Sequence, residues 1–237
     1  MPSRSLKVTI ARSNAAQDVF DVPAQDNQTV LDVVSWVQQH ADPTLSYRFA
    51  CRVGMCGSCA MMVNGVPRWT CRTHVSKVLR DGAIEIAPLR NLPVIKDLVV
   101  DMDPFFDKWI AAEAVHHDRQ TRDDPIASVS EETPQRATAN AGIECINCAV
   151  CYAACDTVAS NPDYLGPAAL QRAWTLINDE KDGGREVILE AVSGSGGCHN
   201  CHSIGSCTAY CPNELDPLSA IAGLKRETVK NLFRKRR

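Results

Sequence analysis

At 237 residues the chain is long enough for one or two domains, each with its own core. Its 25 Lys and Arg against 28 Asp and Glu leave a formal charge of −3, and 45% of its residues are hydrophobic, which excludes a disordered polyelectrolyte and a nucleic-acid footprint. Twelve cysteines are many for this length. An even count fits disulfides in a secreted protein, but the N-terminus MPSRSLKVTIARS has no apolar signal region. No stretch approaches the roughly 18 apolar residues of a membrane span either. A reducing compartment, where clustered cysteines bind metal, is the expectation.

In chain order, Leu6, Val8 and Ile10 alternate with Lys7 and Thr9, which predicts a half-buried strand. Val19, Phe20 and Val22 before Pro23 predict its hairpin partner. Val30, Val33, Val34 and Val37 share one face of a helix, with Thr29 as N-cap and Pro43 past the end. Met61-Met62-Val63, the turn pair Asn64-Gly65 and Val66 to Trp69 predict a second hairpin, and Ile84 and Ile86 a last strand before Pro88. Trp36 and Trp69 are read as packing residues.

Between helix and second hairpin lies the first cysteine pattern. Cys51, Cys56, Cys59 and Cys71 have the spacing C-x4-C-x2-C followed by one downstream Cys, the plant-type arrangement for a [2Fe–2S] cluster. The expectation is one tight loop plus one strand-borne Cys. Gly54, Gly57, Ser58 and Ala60 are small, so the backbone can approach the sulfurs and turn N–H groups towards them. A mixed sheet on one helix with a loop-borne cluster is the β-grasp ferredoxin layout.

Residues 104–117 read as helical, and the polar stretch 118–142, with Pro125 and Pro134, as a connecting segment. LGPAALQRAWTLIND, with Pro167 in its first turn, and PLSAIAGLKRETVKNLF, opening at Pro217, are helices. The fold class is therefore α+β: a β-grasp ferredoxin-type domain over 1–103, then an all-helical ferredoxin-type domain over 104–237. The second domain should need its clusters to fold fully.

Cysteines in this second half form a repeat. Cys145, Cys148, Cys151 and Cys155 read C-x2-C-x2-C-x3-C; the same spacing later meets Cys201, Ile204, Cys207 and Cys211, followed by Pro212. In the bacterial ferredoxin arrangement the fourth Cys of each run ligates the other cluster. Cys145, Cys148, Cys151 and Cys211 then hold a [4Fe–4S] cluster. Cys155, Cys201 and Cys207 offer only three thiolates beside Ile204, which suits [3Fe–4S]. Cys198 is left over, a buried apolar thiol or, alternatively, a fourth ligand that would make the second cluster [4Fe–4S]. His199 reads as a surface residue, and His116-His117 has no ligand partner at useful spacing. Zinc would suit isolated C-x2-C pairs, but such a protein would be colourless where an iron–sulfur protein is brown.

These motifs, carried by LSYRFACRVGMCGSCAMMVNG, PVIKDLVVDM, CINCAVCYAAC, NPDYLGPAAL and CHSIGSCTAYCPNELDP, resemble the iron–sulfur subunit of the succinate dehydrogenase/fumarate reductase family over nearly the whole chain. The resemblance implies an electron-transfer subunit between the FAD of a flavoprotein subunit and a quinone at a membrane anchor. No residue here is catalytic, and the chain alone should not turn over succinate or fumarate. It implies a peripheral place on the cytoplasmic face of the inner (plasma) membrane, and quinone-facing positions at His202, Ile204 and Lys225. The alternatives are His202 bonded to backbone and Lys225 as a helix cap. The chain departs from the family at Val158-Ala159-Ser160, where a Trp is common, and at Asp156, where the family has Pro. The missing Trp and CINC…CYAAC lean towards fumarate reduction, CHSI towards succinate oxidation. A soluble iron–sulfur subunit of a thiol-coupled fumarate reductase is the alternative function, although the Cys-Cys pairs of those proteins are absent. Finally, Lys225, Arg226, Lys230 and Arg234-Lys235-Arg236-Arg237 make a basic end that would favour an anionic membrane surface.

Overall fold

The alternation of Leu6, Val8 and Ile10 puts one face of a strand in the core, and the structure, a computed structural model describing residues 5–13 and 15–235, bears this out. Strand β1 (Ser5–Ala11) pairs antiparallel with β2 (Gln17–Pro23). Helix α1 (Val30–His40) follows. Thr29 caps it: its hydroxyl accepts from the Asp32 amide at 3.2 Å, while the Asp32 carboxylate accepts from the Thr29 amide at 2.9 Å. Strands β3 (Ala60–Val63) and β4 (Val66–Trp69) turn at Asn64 and Gly65, both left-handed, as a two-residue hairpin requires. A short helix α2 (Val75–Val78) leads to β5 (Ala83–Ala87), which pairs parallel with β1 and antiparallel with β3. The sheet order is β2-β1-β5-β3-β4. Val8, Ile10, Ile84 and Ile86 lie under Val30, Val33, Val34 and Val37 of α1 as one apolar core.

A small hairpin of β6 (Val94–Lys96) and β7 (Val99–Val100) escapes the sequence pattern. Its turn residue Asp97 is 3% exposed. The carboxylate accepts from the Ser46 amide at 3.0 Å and the Ser13 hydroxyl at 3.0 Å, and meets Arg12 Nε at 3.1 Å. These bonds tie three loops together.

Residues 1–102 and 146–154 form one compact unit, and residues 103–145 and 155–237 a second. The first therefore includes α5 (Val150–Ala153), whose last carbonyls, Tyr152 and Ala153, accept from Asn91 at 2.9 Å and Arg90 at 3.2 Å. The second is helical: α3 (Asp103–Ala111), α4 (Pro134–Ile143), α6 (Asp156–Ser160), α7 (Gly166–Ile177), α8 (Arg185–Ala191), α9 (Ser206–Ala209) and α10 (Pro217–Lys235). α7 is central, with α3, α4, α8 and α10 packed on it. At Gly223 of α10 a Cβ would lie 2.5 Å from the Trp174 ring, so only glycine lets α10 pack this closely on α7.

Two expectations are corrected. The helix read over 104–117 stops at Ala111, and the stretch read as a connector contains α4. α4 is weakly amphipathic; it is held at its start, where Thr133 caps it and Arg136 reaches Glu180 at 2.6 Å and Asp179 at 2.5 Å. In the basic tail, residues 236 and 237 and the Lys235 side chain lie outside the described residues.

Burial opposes ionisation of Asp97, but the Ser46 and Ser13 hydrogen bonds and the Arg12 charge outweigh it and hold the carboxyl below its ordinary value. Stability from this shift is complete above the unfolded value of about 3.9 and is lost as pH falls through the lower folded one. Asp97→Ala should cost about 3 kcal/mol in urea unfolding of the cluster-loaded chain at neutral pH. Asp97→Asn should flatten the stability loss below about pH 4; an unchanged acid limb would remove Asp97 as its source.

Candidate iron–sulfur centres

Cys51 and Cys56 stand on the irregular loop that enters β3, and Cys59 immediately precedes that strand. Left-handed residues Arg52, Gly54 and Gly57 curl the loop, so the amides of Val53, Met55 and Cys56 point at Cys51 Sγ at 3.4, 3.3 and 3.4 Å. Such convergent donors stabilise a thiolate and, when iron is bound, the negative charge of a cluster. Cys71 is not strand-borne as expected. β4 ends at Trp69, and Cys71 sits in a 3-10 turn over Thr70–Arg72. The cause is Thr70, whose amide and hydroxyl both donate to the Cys59 carbonyl, at 3.2 and 2.7 Å. The turn leaves the Cys71 amide 3.5 Å from Cys59 Sγ.

The thiols differ in environment. A hydrogen bond from Ser58 is the leading cause that brings exposed Cys56 down to about 6. Burial pushes Cys71 up to about 12. A buried thiol of that kind releases its proton when a metal replaces it. The donor set and inward amides thus fit a thiolate-ligated cluster. Around the loop, Val53 and Met55 are exposed, and the Arg52 guanidinium lies 4.6 Å above the Phe49 ring.

The two later runs share a backbone. In the first, Asn147 and Ala149 are left-handed (φ 56° and 59°) and a four-residue helix starts at Val150. In the second, Ser203 and Gly205 are left-handed (φ 59° and 88°) and a four-residue helix starts at Ser206. This match sets Cys201 against Cys145, Ile204 against Cys148 and Cys207 against Cys151. Within the first unit, Gly57 packs against the first run: a Cβ there would lie 2.6 Å from the Ile146 carbonyl oxygen and 3.0 Å from Cys148 Cα. Within the second unit, Asn213, two residues past Cys211, donates to the carbonyl of Glu144 beside Cys145 at 2.5 Å.

Cys155, Cys201 and Cys207 line a small pocket in the second unit, together with Asp156, Tyr164, His202 and Ile204. Burial raises the Cys207 thiol to about 11. Ile204 is 63% exposed and His202 is exposed. Lys225 does not line this pocket; its ammonium donates to the Cys201 carbonyl at 2.7 Å. Cys198 is fully buried, is absent from the pocket lining, and has its sulfur 4.0 Å from the Thr228 hydroxyl. Burial raises its thiol too. His199 is exposed, as its reading as a surface residue expects, with Nε2 2.9 Å from the same hydroxyl. His116 finds a partner far along the chain, Nδ1 lying 3.2 Å from the buried Asp182 carboxylate. Two contributors carried no sequence signal: Thr70, which sets Cys71, and Tyr164, whose place in the pocket depends on a loop closed from elsewhere.

Fold and cysteine arrangement define an iron–sulfur protein with a sheet-based [2Fe–2S] domain followed by a helical [4Fe–4S] domain. The 2Fe-2S iron-sulfur cluster binding domain family matches residues 7–107, and the 4Fe-4S dicluster domain family residues 144–216. The chain is 36% identical to the fumarate reductase iron-sulfur subunit of Haemophilus influenzae, over 90% of this chain and 86% of that one. It is 34% identical to the Escherichia coli fumarate reductase iron-sulfur subunit over 97% and 96%. Identity to the succinate dehydrogenase iron-sulfur subunit of Paracoccus denitrificans is 33% over 86% and 77%. A chain of the solved Mycobacterium smegmatis Sdh1 complex in the apo form shares the fold, with TM-score 0.83, 24% identity and 98% coverage of both chains. The chain belongs to the family of fumarate reductase and succinate dehydrogenase iron–sulfur subunits.

Gly57 is the tightest point of the first unit's cysteine loops. Gly57→Ala adds a Cβ at a left-handed residue (φ 71°) and drives it into the Ile146 carbonyl. A cost of at least ~2 kcal/mol is expected, read as a lower unfolding midpoint with loss of iron from the purified protein. Wild-type stability and iron content would show that the two loops can separate freely.

Proposed function

We propose that the chain relays single electrons between the FAD of a flavoprotein subunit and a quinone, as the iron–sulfur subunit of a membrane-bound succinate dehydrogenase/fumarate reductase. The observation that carries this is the seat of Gly57 on Ile146 and Cys148, which puts the first cysteine loop in van der Waals contact with the run that follows. When bound, the clusters supply the one-electron steps that link two-electron chemistry at a flavin to that at a quinone. Residues 1–103 serve the first cluster through Cys51, Cys56, Cys59 and Cys71. Residues 104–237 serve a [4Fe–4S] cluster through Cys145, Cys148, Cys151 and Cys211, and a [3Fe–4S] cluster through Cys155, Cys201 and Cys207. The matched backbones of the two runs support that assignment, because they put a side chain without a thiol, Ile204, where the first run has Cys148. The Thr228 contact of Cys198 supports its reading as a packed thiol outside the ligand set.

Quinone would meet the three-thiolate end. His202 and Ile204 are exposed there and offer a donor and an apolar contact. Lys225, already bound to the Cys201 carbonyl, would place positive charge beside that loop.

No helix among the described residues is long and apolar enough to cross a membrane. Attachment to the cytoplasmic face of the inner membrane would come through anchor subunits. α10 assists, with Val229, Leu232 and Phe233 exposed beside Arg226, Lys230 and Arg234.

Electron paramagnetic resonance of the purified complex tests the cluster assignment. The oxidised state should show a [3Fe–4S] signal, and reduction should bring up the [2Fe–2S] signal. Ile204→Cys should accept a fourth iron and abolish the three-iron signal; an unchanged spectrum would overturn the register of the second run. Deleting residues 234–237 tests the tail separately. Each cation near an anionic leaflet is worth about 1 kcal/mol, so membrane retention at low salt should fall at least tenfold. Unchanged retention would rule the tail out.

A further inference from the structure

Thr228, in the second half of α10, is 2% exposed, and its hydroxyl meets more than its own helix. It lies 3.0 Å from the Lys225 carbonyl one turn back and 2.9 Å from His199 Nε2. A carbonyl only accepts, so the single hydroxyl proton goes to Lys225. The hydroxyl oxygen then accepts from His199, which places an imidazole proton on Nε2. Lys225 reaches the same loop from the other side, its ammonium donating to the Cys201 carbonyl at 2.7 Å. One helix thus grips the loop at His199 and again at Cys201.

The grip lies at the upstream end of an exposed span. Before it, the Cys198 amide donates to the Val192 carbonyl at 2.8 Å, and at Gly197 a Cβ would lie 2.0 Å from the same oxygen. After it come His202, Ser203 and Ile204, all exposed, with Ser203 left-handed at φ 59°. The downstream end is held at Gly205, whose carbonyl accepts from the amides of Thr208 and Ala209 at 3.1 and 3.0 Å. His202 and Ile204 line the pocket of Cys155, Cys201 and Cys207, and so do Leu218 and Ile221 of α10. The helix that grips the loop is therefore also a wall of the pocket that the loop borders.

We infer that Thr228 is a positioning residue whose hydrogen bond with His199 holds the loop in the conformation that presents His202 and Ile204 to quinone. This rests on the proposed quinone-facing role of those two residues. An exposed span with a left-handed backbone has little packing to select its conformation, so the bonds at its ends select it. Without the Thr228 hydroxyl the His199 N–H loses its partner and the loop spreads over other conformations. A neutral hydrogen bond of this kind shifts such an equilibrium by about tenfold. Quinone affinity falls by the same factor, because it scales with the fraction of loop in the competent conformation. Turnover at saturation is kept, because bound quinone itself selects that conformation.

The test is Thr228→Val in the intact complex, which keeps the branched shape and removes the hydroxyl. Hydrogen exchange read by mass spectrometry should quicken about tenfold in peptides covering residues 199–205 and stay as in wild type in peptides of α7. With succinate as donor and a short-chain quinone as acceptor, KM for the quinone should rise about tenfold while kcat stays within about twofold. Thr228→Ser, which restores the hydroxyl, should return both readings to wild type. Unchanged loop exchange, an unmoved KM, or a Thr228→Ser variant as impaired as Thr228→Val overturns the inference. Should Thr228→Val fail to assemble, His199→Leu breaks the same bond from the exposed side; the same two changes are expected, and their absence overturns the inference equally. If the wild-type complex turns over no quinone, the proposed function fails first and the inference falls with it.

Discussion

Three side chains with two residues between each cannot converge on one point from a helix or a strand; the backbone must reverse hand to bring them round. Both later runs solve this with two left-handed residues each, Asn147 and Ala149 in one, Ser203 and Gly205 in the other. Only one of the four is glycine, and each of the others costs about 1 kcal/mol. The helices that follow, Val150–Ala153 and Ser206–Ala209, are four residues long, too short to stand alone in water. Ligation is what offsets these costs, so local order in both loops is coupled to metal binding. Loss of a cluster would release strain already present in the backbone.

That constraint also explains what was legible in the sequence. Ligand spacing is a local geometric demand, so C-x4-C-x2-C and C-x2-C-x2-C-x3-C point to their sites without knowledge of the fold. The β-grasp core was legible for a similar reason: Leu6, Val8 and Ile10, or Val30, Val33, Val34 and Val37, follow the period of one element. Features made by residues distant in sequence were not. Cys71 leaves the strand because Thr70 bonds to Cys59, eleven residues earlier. α4 is a helix because Thr133 and Arg136 meet Glu180, more than forty residues on. The hairpin at Asp97 exists where Ser13, Ser46 and Arg12 converge. Asn91 and Arg90 hold the end of α5 across some sixty residues, so the segment 146–154 folds with the first unit although its flanks belong to the second.

Ile204 shows how a repeat can keep its scaffold and change its chemistry. The second run retains both left-handed residues and the short helix, so the geometry around Ile204 is still that of a ligand position. Replacing a thiolate there removes one negative ligand, and an exposed apolar side chain takes its place. Fewer anionic ligands favour the reduced state, which raises potential. The charge of Lys225, on the Cys201 carbonyl, acts in the same direction. In the first unit Cys51 has its three amide donors, on a loop open to water. Asp156, the carboxylate in the lining of the three-thiolate pocket, acts in the opposite sense to Lys225, because its negative charge disfavours adding another beside these sulfurs.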